Sequence, residues 1–145
     1  MTLQTSPPEP RWQVSPEPHR IIVADDDDDM RRMLANVLRS DGYFVLEAKD
    51  GERLKTLIGA VTRADGAAPL ALVITDHRMP GMSGLQVLEW LRELDWLTPV
   101  ILLTGFGDRK LHKEAQELGA ASVFDKHNEL AALRERVREL VKVVA

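Results

Sequence analysis

The residues with the most chemical potential in this chain are carboxylates. Asp25-Asp26-Asp27-Asp28-Asp29 follows directly on the apolar run Ile21-Ile22-Val23-Ala24. Apolar residues and clustered acids cannot share one environment, so the run reads as a buried strand and the acids as what emerges at its end. Asp28 and Asp29 have an ordinary explanation, because acids are favoured in the first turn of a helix. Asp25 and Asp26 lie too early for it. Carboxylates crowded at a strand end repel one another and become tolerable with a cation between them. A third acid, Asp76, follows the apolar run Leu70-Ala71-Leu72-Val73-Ile74 and Thr75, and stands alone before the loop His77-Arg78-Met79-Pro80-Gly81-Met82-Ser83-Gly84. Three such carboxylates suit a hard divalent cation; magnesium prefers oxygen ligands, keeps several waters and often completes its shell with phosphate oxygens. An accessible aspartate can itself accept a phosphoryl group as an acyl phosphate. That transfer needs in-line positioning and charge neutralisation. The cation and Lys126 would neutralise charge, and the Thr104 hydroxyl could hydrogen-bond a phosphoryl oxygen.

These residues meet only if the chain alternates strand and helix. After the first strand, a helix is expected from about Asp28 to the stop signal Asp41-Gly42, with Met30, Met33, Leu34, Val37 and Leu38 inward. Tyr43 to Ala48 reads as a strand, and Asp50-Gly51 opens a helix with Leu54, Leu57, Ile58 and Val61 inward. Thr62 to Pro69 reads as a loop before the strand that ends at Asp76. A third helix carries Leu85, Leu88 and Leu91, the strand Val100-Ile101-Leu102-Leu103 ends at Thr104, and a weaker helix covers about Asp108 to Leu118. Ser122-Val123-Phe124 is the fifth strand, ahead of Asp125-Lys126. The last helix turns Leu130, Leu133, Val137, Leu140 and Val144 inward and Arg134, Arg136, Arg138 and Lys142 mostly outward. Five β/α units in strict alternation imply an α/β, doubly wound parallel sheet with helices on both faces. Ligands bind such sheets outside the carboxyl ends of the strands, where Asp25, Asp26, Asp76, Thr104 and Lys126 all fall.

Composition narrows the functional classes. Net charge −4 and pI near 5.6 argue against a nucleic-acid surface, and the absence of cysteine excludes disulfides, thiolate metal sites and cysteine nucleophiles. No apolar run approaches the roughly 18 residues needed to span a bilayer, and no signal peptide is legible, so the expected location is the cytoplasm. Residues 1–20 hold Pro7, Pro8, Pro10, Pro16 and Pro18, five of the eight prolines, and read as a disordered or extended tail. Residues 21–145 form one domain.

Asp25-Asp26, the segment Asp76 to Gly84, Thr104-Gly105 and Lys126, in this order and spacing over about residues 20–145, resemble the receiver domains of two-component response regulators. The resemblance implies the flavodoxin-like strand order 2-1-3-4-5, for which the chemotaxis receiver is a standing example. It implies that Asp76 is the phosphoacceptor, and that Asp25 and Asp26 hold Mg2+ directly or through water. It further implies the Arg78 backbone carbonyl as a metal ligand, with Thr104 and Lys126 contacting the phosphoryl group. The donor would be a histidine kinase or histidine phosphotransfer protein, and the output a downstream protein partner, with a homodimer left open. The protein would then be a signalling phosphoacceptor, catalysing only its own phosphoryl uptake and slow autodephosphorylation.

Two positions depart from the family pattern. Receivers usually carry proline, joined by a cis bond, directly after the lysine; here it is His127. A cis bond to a non-proline residue costs roughly 2.5–4 kcal/mol, so a trans bond and a somewhat rearranged loop are predicted. Three residues before the lysine, where Tyr or Phe is usual, stands Val123, which cannot make the large inward swing of an aromatic. These departures keep a second reading in view, a receiver fold serving as an interaction module without phosphorylation.

Other conspicuous residues have plainer explanations. His77 either gates access to the candidate nucleophile or tunes its dephosphorylation, or is a plain exposed loop histidine. His112 and His127 read as solvent-facing, His19 carries no signal, and Trp12 reads as loosely packed. Trp90 and Trp96 read as packing and loop cover, and the arginines of the last helix as a solvated face. Two rival chemistries fail. A calcium loop starting at Asp25 would put Met30 where glycine is needed and Asn36 where a bidentate glutamate belongs. A phosphohydrolase built on Asp25-x-Asp27 would put Asp29 where Thr or Val is expected.

Overall fold

A computed structural model describes residues 19–63, 70–94, 97–105 and 109–141. The expected alternation holds throughout: β1 (Arg20–Ala24), α1 (Asp28–Ser40), β2 (Phe44–Ala48), α2 (Gly51–Arg63), β3 (Leu70–Asp76), α3 (Gly84–Glu93), β4 (Val100–Thr104), α4 (Arg109–Glu117), β5 (Ser122–Asp125) and α5 (Leu130–Leu140). All four pairings are parallel and the strand order is β2-β1-β3-β4-β5.

The alternation of strand residues divides the core in two. Ile21, Val23, Leu72, Ile74, Ile101 and Leu103 face α1 and α5, where Leu34, Leu38, Leu133 and Val137 complete one cluster. Ile22, Ala24, Val73, Val100 and Leu102 face the other way, onto Leu54 and Ile58 of α2, Val87, Leu88 and Leu91 of α3, and Ala115 of α4. Burial on both faces is why β1, β3 and β4 read as continuous apolar runs rather than alternating ones.

Boundaries moved by a residue or two. Arg20 joins β1, Tyr43 is buried but precedes β2, and α2 continues through Arg63, so its last two residues come from the segment read as loop. On α1 the inward face is Leu34, Ala35 and Leu38 with Arg31, whereas Met33 is 38% exposed. Two of the arginines of α5 do more than face solvent. Arg134 makes a two-pronged pair with Asp41 at the end of α1, at 2.9 and 2.6 Å, and Arg136 donates to the Ser122 hydroxyl and the Ala121 carbonyl. Trp90 packs against the second cluster and carries Lys55 Nζ over its ring at 5.2 Å. The expectations for the N-terminal tail, Trp12, Trp96, Lys142 and Val144 lie outside the described residues. Among the described residues no helix is long and apolar enough to cross a membrane.

Candidate functional site

The site forms where β1, β3 and β4 end. Parallel pairing sets Ala24 beside Thr75, and Asp76 beside Leu103, so Asp25, Asp76 and Thr104 leave adjacent strands at nearly one level. On the far side Thr104 pairs with Asp125, and its carbonyl accepts the Lys126 N–H at 3.0 Å.

Asp25 is held from every side. Its N–H donates to the Ala48 carbonyl at 3.0 Å, its Oδ1 accepts the Asp27 N–H at 3.0 Å, and its Oδ2 pairs with Lys126 Nζ at 3.4 Å. The Asp25 carbonyl accepts Arg31 Nη1 at 3.1 Å. Asp27 caps α1, accepting the N–H groups of Asp29 and Met30, and Asp28 and Asp29 lie in the first turn as expected. The members of the acidic run therefore differ in what they do. Asp25 is buried in the site, Asp26 is exposed at its rim, Asp27 caps the helix, and Asp28 pairs with Arg31 at 2.8 Å.

Asp76 is positioned by the loop that follows it. The His77 N–H donates to the Leu103 carbonyl at 2.8 Å, and the His77 carbonyl accepts the Gly84 N–H at 2.9 Å. That closure brings the start of α3 onto the strand end. A Cβ at Gly84 would sit 2.9 Å from the Asp76 carbonyl oxygen and 2.7 Å from Leu102 Cδ2. Ser83 caps α3 with a reciprocal Ser83–Gln86 capping box. The middle of the loop rests on α2: the Gly51 N–H donates to the Pro80 carbonyl at 3.4 Å, and a Cβ on Gly51 would collide with Met82. Gly81 has φ +85°, a left-handed conformation suited to glycine. Asp26, His77, Arg78, Met79, Pro80 and Ser83 line a cleft of about 420 Å³ beside Asp76.

Carboxylate oxygens of Asp25, Asp26 and Asp76 lie within 4.8 Å of one another. Lys126 Nζ reaches two of them, 3.4 Å from Asp25 and 3.3 Å from Asp76. Three acids against this one ammonium leave an excess of negative charge in a half-closed site. Burial, and then the Asp25 charge, push the Asp76 carboxyl up to about 6. Burial also raises Asp25 against the opposing pull of the Asp27 N–H and Lys126. Burial disfavours the charge on Lys126, but Asp25 and Asp76 together outweigh it and hold the ammonium above its ordinary value. Crowded hard oxygens short of counter-charge fit a divalent cation.

Residues 21–138 match the family described as the response regulator receiver domain. The chain belongs to that family. It is a receiver domain of two-component signalling. Among its relatives, the transcriptional regulatory protein FixJ of Azorhizobium caulinodans is 38% identical over 125 residues, which cover 85% of this chain and 55% of FixJ. The response regulator receiver protein CpdR of Brucella abortus is 31% identical over 129 residues, 86% of this chain and 96% of CpdR. The chain thus spans about half the length of one relative and nearly all of another. A response regulator receiver domain from Clostridium thermocellum superposes with a TM-score of 0.75 at 25% identity, covering 84% of this chain and 93% of that one.

At the two departures from the family pattern, no cis peptide occurs among the described residues, so the Lys126–His127 bond is trans as predicted. The His127 N–H donates to the Asp125 carboxylate at 2.8 Å, and the Asp125 N–H to Glu129 Oε1 at 2.7 Å. Proline at 127 could make no such bond. Val123 is half-buried and packs on the face of the sheet that carries α2, α3 and α4. Arg31 and Gly84 are the positions whose importance to the site the sequence reading missed. Arg31 was legible only as one more polar helix residue, and Gly84 only as part of a loop.

Proposed function

We propose that Asp76 is the phosphoacceptor of a Mg2+-dependent switch. The reading is carried by one observation: the Lys126 ammonium lies between the Asp25 and Asp76 carboxylates, 3.4 and 3.3 Å away. Asp25, Asp26 and Asp76, with the Arg78 backbone carbonyl, would hold the metal, directly or through water. A divalent cation bound there would supply charge neutralisation for the phosphoryl oxygens.

The remaining chemistry belongs to the chain. A carboxylate oxygen of Asp76 attacks the phosphorus of a phosphohistidine in line with its P–N bond. The P–O bond forms as the P–N bond breaks, and the imidazole leaves with the electron pair. Lys126 exchanges its contact with the Asp76 carboxylate for one with a phosphoryl oxygen, and the Thr104 hydroxyl donates to another. Water later attacks the same phosphorus, returning the carboxylate and inorganic phosphate. The donor is a histidine kinase or a histidine phosphotransfer protein, and the receiver of the signal is a protein. The dianionic group biases the loops after β3 and β4 between two packings.

The test is phosphoryl uptake from acetyl phosphate with Mg2+ and with EDTA, for wild type and Lys126→Ala. Uptake that requires Mg2+ and drops at least tenfold in Lys126→Ala is the expected result. Uptake indifferent to both would overturn it. Val123 and the trans His127 loop favour one other reading, an interaction module that never takes a phosphoryl group. Wild type inert to acetyl phosphate and to beryllofluoride, with no affinity for Mg2+, would establish that instead.

A further inference from the structure

Arg31 is a cation the switch mechanism leaves unused, yet it is 8% exposed and lies against the acidic loop. Burying a guanidinium is costly unless its donors are met, and here they are met in three directions. Nε donates to Glu47 Oε1 of β2 at 3.2 Å. Nη1 pairs with Asp28 Oδ1 at 2.8 Å and donates to the Asp25 carbonyl oxygen at 3.1 Å. Glu47 is itself fixed, since its other oxygen pairs with Arg39 Nη1 at 3.2 Å and Arg39 Nη2 donates to the Val45 carbonyl at 2.8 Å. The guanidinium therefore ties the acidic loop at Asp25, and the first turn of its own helix at Asp28, to an anchored residue on the neighbouring strand. Asp25 lies just past the end of β1: its N–H still reaches the Ala48 carbonyl of β2, and its carbonyl is met by this side chain.

We propose that Arg31 is a positioning residue of the cation site: it holds the Asp25 backbone so that the Asp25 and Asp26 carboxylates are set for a divalent ion before that ion arrives. The proposal rests on the metal role assigned above to those carboxylates. Lysine could not substitute, because a single ammonium cannot span Glu47, Asp28 and the Asp25 carbonyl with the rigid fork of arginine.

Charge and position make opposite forecasts, which renders the idea testable. Deleting a positive charge from beside the acidic loop should, by Coulomb's law alone, tighten cation binding. Loss of positioning should weaken it. Mg2+ titration by calorimetry on wild type, Arg31→Lys, Arg31→Ala and Arg32→Ala separates the two, Arg32 being the exposed neighbour of equal charge. The expected result is roughly tenfold weaker Mg2+ binding in both Arg31 variants and no weakening in Arg32→Ala. Independently of metal, the Asp27 amide proton, which is bonded to Asp25 Oδ1, should shift in Arg31→Lys towards its solvated position by NMR. Arg31 variants that bind Mg2+ as well as wild type, or better, with an unmoved Asp27 amide, would overturn the assignment. If wild type binds no Mg2+, the metal role fails, and the Asp27 amide alone judges whether Arg31 positions the loop.

Discussion

Asp76 is held in a place that disfavours its own charge. Its carboxyl rises from 3.8 to about 6, first through burial and then through Asp25. The folded state therefore holds the proton more tightly than the unfolded state does. This group favours folding at low pH, and the contribution is lost as pH rises from near 3.8 through about 6. Asp76→Asn removes the penalty, so it should be more stable than wild type by roughly 1–3 kcal/mol at pH 7.5 and no more stable near pH 4. Urea unfolding at both pH values checks this, and a variant less stable than wild type at pH 7.5 would contradict it. Saturating Mg2+ should narrow the gap at pH 7.5, because the ion relieves the same repulsion in wild type only. At this scale the grouping was legible in advance: acids ending two strands, a lysine and a threonine following two others, meet at one edge of the sheet. Arg31 was not, because a contact to a backbone carbonyl leaves no mark on side-chain pattern.

The elements are tuned around the site as closely as the residues are. Gly84 opens α3 where a Cβ would press on the Asp76 carbonyl and Leu102. Gly84→Ala should push α3 off the strand end, costing about 1–3 kcal/mol by overpacking. It should also slow phosphoryl uptake from acetyl phosphate more than Ser83→Ala, which loses only a cap worth about 1 kcal/mol. Equal uptake in the two variants would place the need for glycine outside the site. The order and type of all ten elements were readable because each helix has a 3.6-residue period and each buried strand is a continuous apolar run. What was misread lay on polar–apolar margins. Met33 keeps the helical spacing but faces solvent, its place in the core taken by the small Ala35 and by the paired Arg31. Arg134 and Arg136 look like a solvated face until α1 and β5 supply their acceptors, which no local period reveals.

For the whole molecule, the question is how far a phosphoryl group at Asp76 is felt. Val123, half-buried and paired with Leu102 across the β4–β5 ladder, offers no long lever to a Thr104 drawn towards the proposed phosphoryl group. Backbone amide spectra with Mg2+ and beryllofluoride should therefore shift mainly in the β3–α3 and β4–α4 loops. The β5–α5 surface should respond less than it does in Val123→Tyr, and equally wide responses in the two proteins would show that the relay does not depend on this side chain. The central claim lies upstream of any relay, and it is that Asp76 takes the phosphoryl group. The measurement is intact mass and Phos-tag mobility after acetyl phosphate and Mg2+, on wild type and Asp76→Ala. One phosphoryl group on wild type and none on Asp76→Ala is the predicted result; equal labelling of both, or labelling of neither, would contradict it.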